Sequence, residues 1–293
     1  MTELSHAERN RRVSRVLWGI LIANWAVASL KLAIGLSTGS TAVTADGLHS
    51  FIDGASNIIG LVAMHFASQP ADEEHPYGHH KFETLASLAI GVMIGMAVLE
   101  LGRMAFAAIV NDVHPEVGPL SIGVMVGTLV VNLVVTRVEA AKGRELKSAI
   151  LMADAGHTMS DVFVTLAVIA SLVLTAFGVG RADGVVTLLV LGFVAYTGYG
   201  IIRQAVGILA DTARVDPSKV RAVLAEVPEV RGSHDIRSRG LEGSVYVDLT
   251  IHVDPALDLR AAHRIADVVE GKLRAAFSEV VDVVVHVEPE DHG

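Results

Sequence analysis

The 293-residue chain contains no cysteine. This absence excludes a disulfide framework, a thiolate zinc site, an iron–sulfur cluster and a cysteine nucleophile. Charge is also scarce, since Asp, Glu, Lys and Arg make up 19% of the residues, against roughly 25% in ordinary soluble domains. A net charge of −9 without a basic patch argues against a nucleic-acid partner. No H-E-x-x-H motif occurs, which argues against an intramembrane metalloprotease.

The few charged residues are distributed unevenly along the chain. Residues 1–210 hold 29 of them, whereas the 83 residues of 211–293 hold 26. The first segment also contains six apolar runs, each near the roughly 20 residues that a helix needs to cross a bilayer. These runs are Val16–Leu36, Ala42–Ala67, Thr84–Val110, Gly118–Thr136, Ile150–Gly178 and Gly184–Ile202. The pattern predicts a six-helix transmembrane domain over 1–210 and a water-soluble domain over 211–293.

Basic residues set the expected orientation of the spans. They cluster before the first span, between the second and third, and between the fourth and fifth, whereas the opposite loops hold only Arg181. The clustered residues are Arg9, Arg11, Arg12, Arg15, Lys81, Arg137, Lys142, Arg144 and Lys147. By the positive-inside rule, both termini and the C-terminal domain face the cytoplasm. We therefore expect a multi-pass protein of the cell (inner) membrane, surrounded by lipid.

The C-terminal domain alternates in the manner of a small α+β fold. Asp216-Pro217 opens a helix, and a strand is expected around Val230–Ser238. Apolar residues alternate with polar ones from Val245 to Val253 and again from Val281 to Val287, as in half-buried strands. An amphipathic helix from Leu259 to Phe277, capped by Asp258, separates these strands. The order helix, strand, strand, helix, strand predicts one helical layer on one sheet.

Ionisable residues recur inside two of the apolar runs. Residues 45–53 and 153–161 both read A-D-x-x-H-x-x-x-D, which places the three polar side chains of each segment on one helical face. Zinc takes imidazole and carboxylate ligands in a tetrahedral set. The proposed ligands are His49, Asp53, His157 and Asp161. Asp46 and Asp154 either orient these ligands or have a structural role, and the alternative for both segments is polar contact between helices. Asn24 and Asn57 are expected to hydrogen-bond between helices.

A second polar cluster precedes the third span. Three acids and three histidines fall within residues 72–80. Asp72, His75 and His79 have a spacing that a short loop can wrap around one ion. The alternative is a solvated polar loop without an ion.

The C-terminal domain offers a third candidate. His252 and His286 lie on the polar faces of their predicted strands, and Glu288 shares the face of His286. These side chains can converge across the sheet, although single histidines are more often structural or exposed.

The sequence resembles the cation diffusion facilitator family. The resemblance is carried by His49-x-x-x-Asp53, the segment from Gln69 through His79, and His157-x-x-x-Asp161. It extends through Ser233-His234-Asp235, Ile251-His252-Val253 and residues 285–288, so that it covers nearly the whole chain.

The resemblance implies functions for these residues. Members of the family are homodimeric metal-ion/proton antiporters that export divalent cations, and their cytoplasmic domain has a metallochaperone-like fold. The transport site corresponds to the four ligands proposed above, and the loop site to Asp72, His75 and His79. A dinuclear cytoplasmic site corresponds to His234, His252, His263, His286 and Glu288. Lys81 and Asp211 match a pair that interlocks the dimer. His49 and Glu288 replace aspartates of well-known bacterial members, which changes the ligand sets.

These observations predict a secondary active transporter rather than an enzyme. Its expected substrate is a divalent metal ion, predicted to be zinc, which leaves the cytoplasm by alternating access in exchange for protons. The metal also acts as a regulator through the soluble domain, and no other cofactor is expected. The alternatives are selectivity for iron, manganese, cobalt or cadmium, a metal-regulated passive facilitator, and a metal sensor that does not transport.

Overall fold

The computed structural model describes residues 6–38, 43–44, 47, 50–51, 54–111, 119–176 and 182–290. The chain divides into two compact units, one ending at Ala205 and the other beginning at Val206. Each unit has its own apolar core.

Six helices occupy the described residues up to Leu209. They are α1 His6–Thr38, α2 Ala55–Ala67, α3 Lys81–Asn111, α4 Pro119–Glu145, α5 Ala149–Ala176 and α6 Ala182–Leu209. One of these helices lies over each predicted span. In the second span, residues 43–44, 47 and 50–51 are also helical, and the other residues before Gly54 lie outside the described ones. Within the described part of the chain, α1, α3 and α4 contain stretches long and apolar enough to cross a membrane. Several helices continue beyond the apolar runs, because a helix need not end where the side chains become polar.

The helices expose apolar side chains and bury others between them. Trp18, Ile22 and Phe106 are exposed, which suits a lipid surface. The buried core includes Leu17, Met64, Ile90, Ile150 and Val194.

Small residues allow close helix packing within this unit. A Cβ atom at Gly91 of α3 would lie 2.8 Å from Cγ1 of Ile202 in α6. A Cβ atom at Gly198 of α6 would lie 2.9 Å from Cγ2 of Ile94 in α3. These contacts leave no room for a larger side chain, so the two glycines permit the close approach of α3 and α6.

An ion pair ties one end of the helical unit together. The guanidinium of Arg9, in the first turns of α1, donates to both oxygens of Glu83 at the start of α3, over 2.9 and 3.2 Å. The same guanidinium donates to the carbonyl oxygens of Leu146 and Lys147, in the turn between α4 and α5. Ser148 Oγ donates to Glu83 Oε1 over 2.6 Å. Because the carboxylate of Glu83 is nearly fully buried, each of these donors compensates for lost hydration.

The second unit is an α+β fold, as the sequence predicts. Its elements are α7 Pro217–Leu224, β1 Gly232–Leu241, β2 Ser244–Val253, α8 Leu259–Ala276 and β3 Val280–Pro289. The sheet has the order β1-β2-β3, with β1 antiparallel and β3 parallel to the central β2. Helix α8 provides the crossover that a parallel β2–β3 pair requires.

Local signals set the ends of these helices. Asp216 accepts a hydrogen bond from the Ser218 N–H at the start of α7, and Asp258 accepts one from the Ala261 N–H at the start of α8. One face of the sheet packs on the helices through Leu249 and Ile251 of β2 and Leu273 of α8. The other face of the sheet carries the histidines of the third predicted site, together with exposed apolar residues such as Val284.

Candidate metal centres

The structure describes one of the two segments that are predicted to form the transport centre. Helix α5 places Asp154, His157 and Asp161 at intervals of three and four residues, hence on neighbouring turns of one face. His157 is buried, and its Nε2 atom has no hydrogen-bond partner among the described residues. His49 and Asp53, the expected ligands from the other helix, lie outside the described residues, as does Asp46.

A polar cavity adjoins this centre. His157 and Asp161 line it, and the rest of its wall consists of neutral side chains. These are Asn24, Val27, Ser50, Ser56, Thr128, Asn132 and Thr158. No Lys or Arg is among the described lining residues, but the buried ammonium of Lys31 donates to the hydroxyl of the lining residue Ser50 over 2.9 Å, so one positive charge adjoins this wall.

Asp154 is held from a second helix. Asn24 of α1 donates its Nδ2–H to Asn57 Oδ1 over 3.0 Å, and Asn57 of α2 in turn donates to Asp154 Oδ2. The interhelical role predicted for both asparagines is therefore confirmed. This chain of hydrogen bonds fixes the orientation of Asp154 between the helices. The role of Asp154 in orienting the metal ligands stays a prediction.

The loop between α2 and α3 brings together all three predicted side chains. The ligand atoms of Asp72, His75 and His79 lie within 4.8 Å of one another. His75 Nδ1 lies 3.5 Å from Asp72 Oδ1, and His79 Nε2 lies 3.5 Å from Asp72 Oδ2. The two imidazole rings are 4.3 Å apart at their centroids. Two imidazoles and a carboxylate converging in this way can hold a divalent ion.

Backbone contacts prepare the loop for this geometry. Gly78 has a φ of +82°, a conformation that favours glycine, and its N–H donates to the His75 carbonyl oxygen. His79 Nδ1 lies 3.0 Å from the Pro70 carbonyl oxygen. A carbonyl can only accept, so Nδ1 carries the hydrogen and Nε2 offers a lone pair toward Asp72.

The carboxylate of Asp72 is also prepared for binding. The backbone N–H of His75 donates to Asp72 Oδ1 over 2.7 Å. This hydrogen bond lowers the pKa of Asp72 below its ordinary value, with a smaller contribution from the nearby imidazoles. Asp72 therefore presents a negative charge at neutral and mildly acidic pH.

The third candidate site, in the second unit, forms across the three-stranded sheet. The parallel register places His252 of β2 opposite Glu288 of β3, while β1 brings His234 to the same end. Glu288 Oε2 lies 3.3 Å from His234 Nε2 and 3.6 Å from His252 Nε2. Gly232 lies beside His252, where a Cβ atom would be 3.2 Å from the imidazole Nδ1. The three ligand atoms thus lie within 4.8 Å of one another.

The two remaining predicted ligands, His286 and His263, lie outside this group of three. His286 Nε2 is 3.2 Å from Glu288 Oε1, so Glu288 has imidazoles at both oxygens and is placed to bridge two ions. His263 lies on α8 with 75% of its side chain exposed, near Asp267, and the structure does not bring it to the cluster. Its role as a ligand stays a prediction.

Lys81 and Asp211, the predicted interlocking pair, both occupy the ends of helices. Lys81 is the first residue of α3 and is exposed. Asp211 follows α6, is exposed and has a φ of +54°. Their pairing between protomers stays a prediction.

Sequence reasoning missed one ionisable residue close to the transport centre. Glu139 of α4 is fully buried and interacts electrostatically with Asp154 and Asp161. The predicted span ends at Thr136, so Glu139 is assigned to a charged loop by sequence alone. The signal in the sequence was the spacing of Glu139, which lies four residues after Val135. In the structure α4 continues past Thr136, so that Glu139 lies one helical turn beyond the buried Val135.

Comparison with known proteins identifies the family. Residues 17–210 match the model of the cation efflux transmembrane domain, and residues 213–290 match that of the cation efflux protein, cytoplasmic domain. An uncharacterized transporter of Methanocaldococcus jannaschii is 30% identical over 95% of this chain and 99% of its own length. A cation-efflux pump FieF of Serratia proteamaculans is 30% identical, with 94% of each chain covered.

One solved structure is similar to about a quarter of the chain. The metal-bound C-terminal domain of the CzcD transporter from Thermotoga maritima is 25% identical, with a TM-score of 0.25, and covers 26% of this chain and 88% of that chain. The family matches cover both units of the chain. The chain therefore belongs to the cation diffusion facilitator family and is a membrane transporter for the efflux of divalent metal cations.

Proposed function

We propose that this transporter exports zinc from the cytoplasm in exchange for protons. The observation that carries the proposal is the buried His157 Nε2 atom, which has no partner among the described residues and adjoins a polar cavity shared with Asp161. An imidazole nitrogen buried in this way loses hydration without compensation unless it binds an ion or a proton.

The same feature recurs in the other two candidate centres. His75 Nδ1 and His252 Nε2 are buried atoms without a hydrogen-bond partner in the described part of the chain. In each case a carboxylate oxygen lies close by, at 3.5 Å for Asp72 and 3.6 Å for Glu288. One unsatisfied imidazole beside one carboxylate in each centre supports metal binding at all three.

The ligand chemistry favours zinc over manganese. With His49 and Asp53 from the second predicted segment, the transport site would hold two imidazoles and two carboxylates. This set suits zinc, cobalt or cadmium, whereas manganese prefers oxygen ligands alone. Affinity order does not determine selectivity in a cell, so cobalt and cadmium are the closest competitors.

Proton coupling follows from the same ligands. An imidazole must be neutral and a carboxylate ionised before either binds metal, so metal binding displaces protons and protonation displaces metal. A carrier that exposes the site alternately to the two sides would then exchange one for the other. A passive facilitator is disfavoured because a four-ligand site binds too tightly for conduction.

The proposal also includes the orientation of the protein in the membrane and its assembly into a dimer. Both termini face the cytoplasm of a cell whose inner membrane holds the protein, since basic residues flank the cytoplasmic ends of the spans. The chain acts as a homodimer, in which metal bound by His234, His252, His286 and Glu288 offsets the acidic charge of the second unit. Metal there would strengthen dimer contacts and regulate transport.

Flux measurements in reconstituted vesicles test this proposal. Zinc, cobalt, cadmium, iron and manganese are each supplied to vesicles with and without a pH gradient. We expect zinc flux to be the fastest and to be driven by an opposing proton gradient, with loss of that flux in Asp161→Asn. Zinc flux that ignores the gradient would overturn the antiport, and an unchanged Asp161→Asn variant would overturn the site.

A further inference from the structure

Glu139 is a buried acid without a counterion among the described residues. Its side chain lies on α4 at 0% exposure, and neither carboxylate oxygen accepts a hydrogen bond from a described donor. The nearest hydroxyl belongs to Thr158, but Thr158 Oγ1 donates to the main-chain oxygen of Asp154 over 3.1 Å. An ionised carboxylate in this position would be desolvated without compensation.

A second carboxyl group lies beside it. Asp154 of α5 is 1% exposed and lies within hydrogen-bonding reach of Glu139. Asp154 Oδ2 accepts the Asn57 amide hydrogen, whereas Oδ1 has no donor in the described part of the chain. The pair therefore presents three buried oxygen atoms that accept no hydrogen bond from a described donor, with the Ser56 hydroxyl near Asp154 and the Thr158 hydroxyl near Glu139 as the neutral groups beside them.

One proton would satisfy this arrangement. A protonated carboxyl group is a hydrogen-bond donor, so a hydrogen on Glu139 would bond Asp154 Oδ1 and remove the repulsion between two adjacent negative charges. We propose that Glu139 and Asp154 hold one proton between them and form a proton-binding site of the transmembrane unit, separate from the metal ligands.

The surroundings favour a proton over a metal ion at this pair. The N–H of Asn57 points to Asp154 Oδ2, and its orientation is set because Asn57 Oδ1 accepts from Asn24. A metal cation on Asp154 would compete with that donor, whereas a proton on the opposite oxygen leaves it intact. The pair also lacks an imidazole, which zinc prefers among nitrogen and oxygen ligands.

The other ionisable groups around the pair are few. On α5, His157 and Asp161 act on it electrostatically. From α2 come the neutral Ser56 and Asn57, and α1, which packs on α4, contributes the neutral Asn24. Helix α3 also packs on α5, but its buried carboxylate, Glu83, is already bonded to Arg9 and Ser148.

The site is placed to respond to the transported ion. Asp154 lies one helical turn from His157, so a divalent cation at His157 and Asp161 would repel the shared proton. This coupling rests on the proposed function, whereas the presence of the proton in the metal-free protein does not. Metal binding would then release the proton of the pair in addition to any displaced from the ligands.

The substitution Glu139→Gln tests the inference, since glutamine has the shape of the protonated acid and donates to Asp154. Full-length protein in lipid nanodiscs is titrated with zinc in buffers of different ionisation enthalpy, which counts the protons released. We expect Glu139→Gln to bind zinc and to release about one proton fewer per transport-site ion than wild type. The matched control is Glu145→Gln, an exposed position on the same helix, which should release the wild-type number.

An infrared measurement separates the proton site from the metal proposal. The metal-free wild-type protein at neutral pH should show a protonated-carboxyl band that Glu139→Gln removes. A variant spectrum identical to wild type overturns the inference, and so does an unchanged proton count. If the wild type lacks His157-dependent zinc binding but keeps the band, the proposed function fails while the proton site stands. If Glu139→Gln does not fold, Asp154→Asn is used instead. A protonated-carboxyl band that persists in Asp154→Asn would also overturn the inference.

Discussion

The transmembrane and cytoplasmic centres use the same side chains under opposite conditions of burial. His157 is 7% exposed in a cavity whose described lining is neutral apart from Asp161. In the second unit, the side chains of His234 and His286 are 46% and 67% exposed. Water can therefore solvate His234 and His286 when no ion is bound, whereas the buried Nε2 atom of His157 cannot be solvated in the same way; in the second unit only His252 Nε2 shares that burial among the described ligand atoms of the cluster.

This difference has a mechanistic consequence. An exposed cluster can be empty or occupied according to the metal concentration, which suits a sensor. A buried cluster is costly when empty, so release of the metal favours entry of a proton. Under the proposed function, this difference would let one chain use histidine and carboxylate ligands both for metal–proton exchange and for regulation.

The largest expected effect separates the two centres by flux. His157→Ala should reduce zinc flux in reconstituted vesicles to the rate of protein-free vesicles, because it removes a buried ligand of the transported ion. His252→Ala should leave the maximal flux near wild type and shift only the zinc concentration that activates it. The comparison breaks if both variants abolish flux, since exposure would then not distinguish transport from regulation.

A stability measurement extends the comparison from metal ligands to ion pairs. Glu83→Ala leaves Arg9 partly buried without its partner, and losses of this kind cost about 3–5 kcal/mol. Glu226→Ala removes an exposed contact to Lys272, where less than about 1 kcal/mol is expected.

Unfolding of the two full-length variants in detergent, followed by circular dichroism, measures the difference. Arg9→Ala should reproduce the Glu83→Ala loss, because the two residues act as one unit with Ser148 and the turn after α4. If Glu83→Ala and Glu226→Ala lowered the free energy of unfolding equally, burial would not make the Arg9–Glu83 ion pair more stabilising than the exposed Lys272–Glu226 pair.

The two units also differ in how far their sequences predict their structures. In the second unit, alternation over 245–253 and the Asp258 cap predict β2 and the start of α8 closely, because both signals are local. In the first unit, the apolar run ending at Thr136 underestimates α4, which continues to Glu145. Hydropathy reports where lipid ends, not where the helix ends, and Glu139 was missed for that reason.

The candidate sites also show that contacts between residues close in sequence are predictable, whereas contacts between distant residues are not. Asp72, His75 and His79 are close in sequence, so their convergence is predictable from spacing. The cluster around Glu288 depends on how the three strands are aligned in the sheet. The sequence predicts that His286 and Glu288 share a face, but it does not predict that alignment. The ion pair of Arg9 and Glu83 joins residues far apart in the chain, and no local pattern distinguishes Arg9 from the other basic residues before the first span.

The smallest expected effect concerns the loop centre, which combines a buried imidazole with an exposed carboxylate. Asp72→Asn should weaken zinc binding there by about tenfold or more, measured by competition with a chelator. Glu73→Gln is the matched control, because Glu73 is an exposed neighbour outside the cluster. Comparable weakening by both substitutions would indicate a general effect of negative charge instead of ligation.

The pH profile of that binding sharpens the distinction between the two ligand types. The pKa of Asp72 is lowered, so its favourable contribution is complete above the ordinary aspartate value of about 3.9 and is lost only as the pH falls through the lowered value. Zinc displaced between neutral pH and about pH 5 must therefore be displaced by protons on the imidazoles. Asp72→Asn should lower the affinity across this range without changing the profile. A flattened profile would mean that Asp72 itself takes up a proton, and the hydrogen bond from His75 would then not keep the carboxylate ionised.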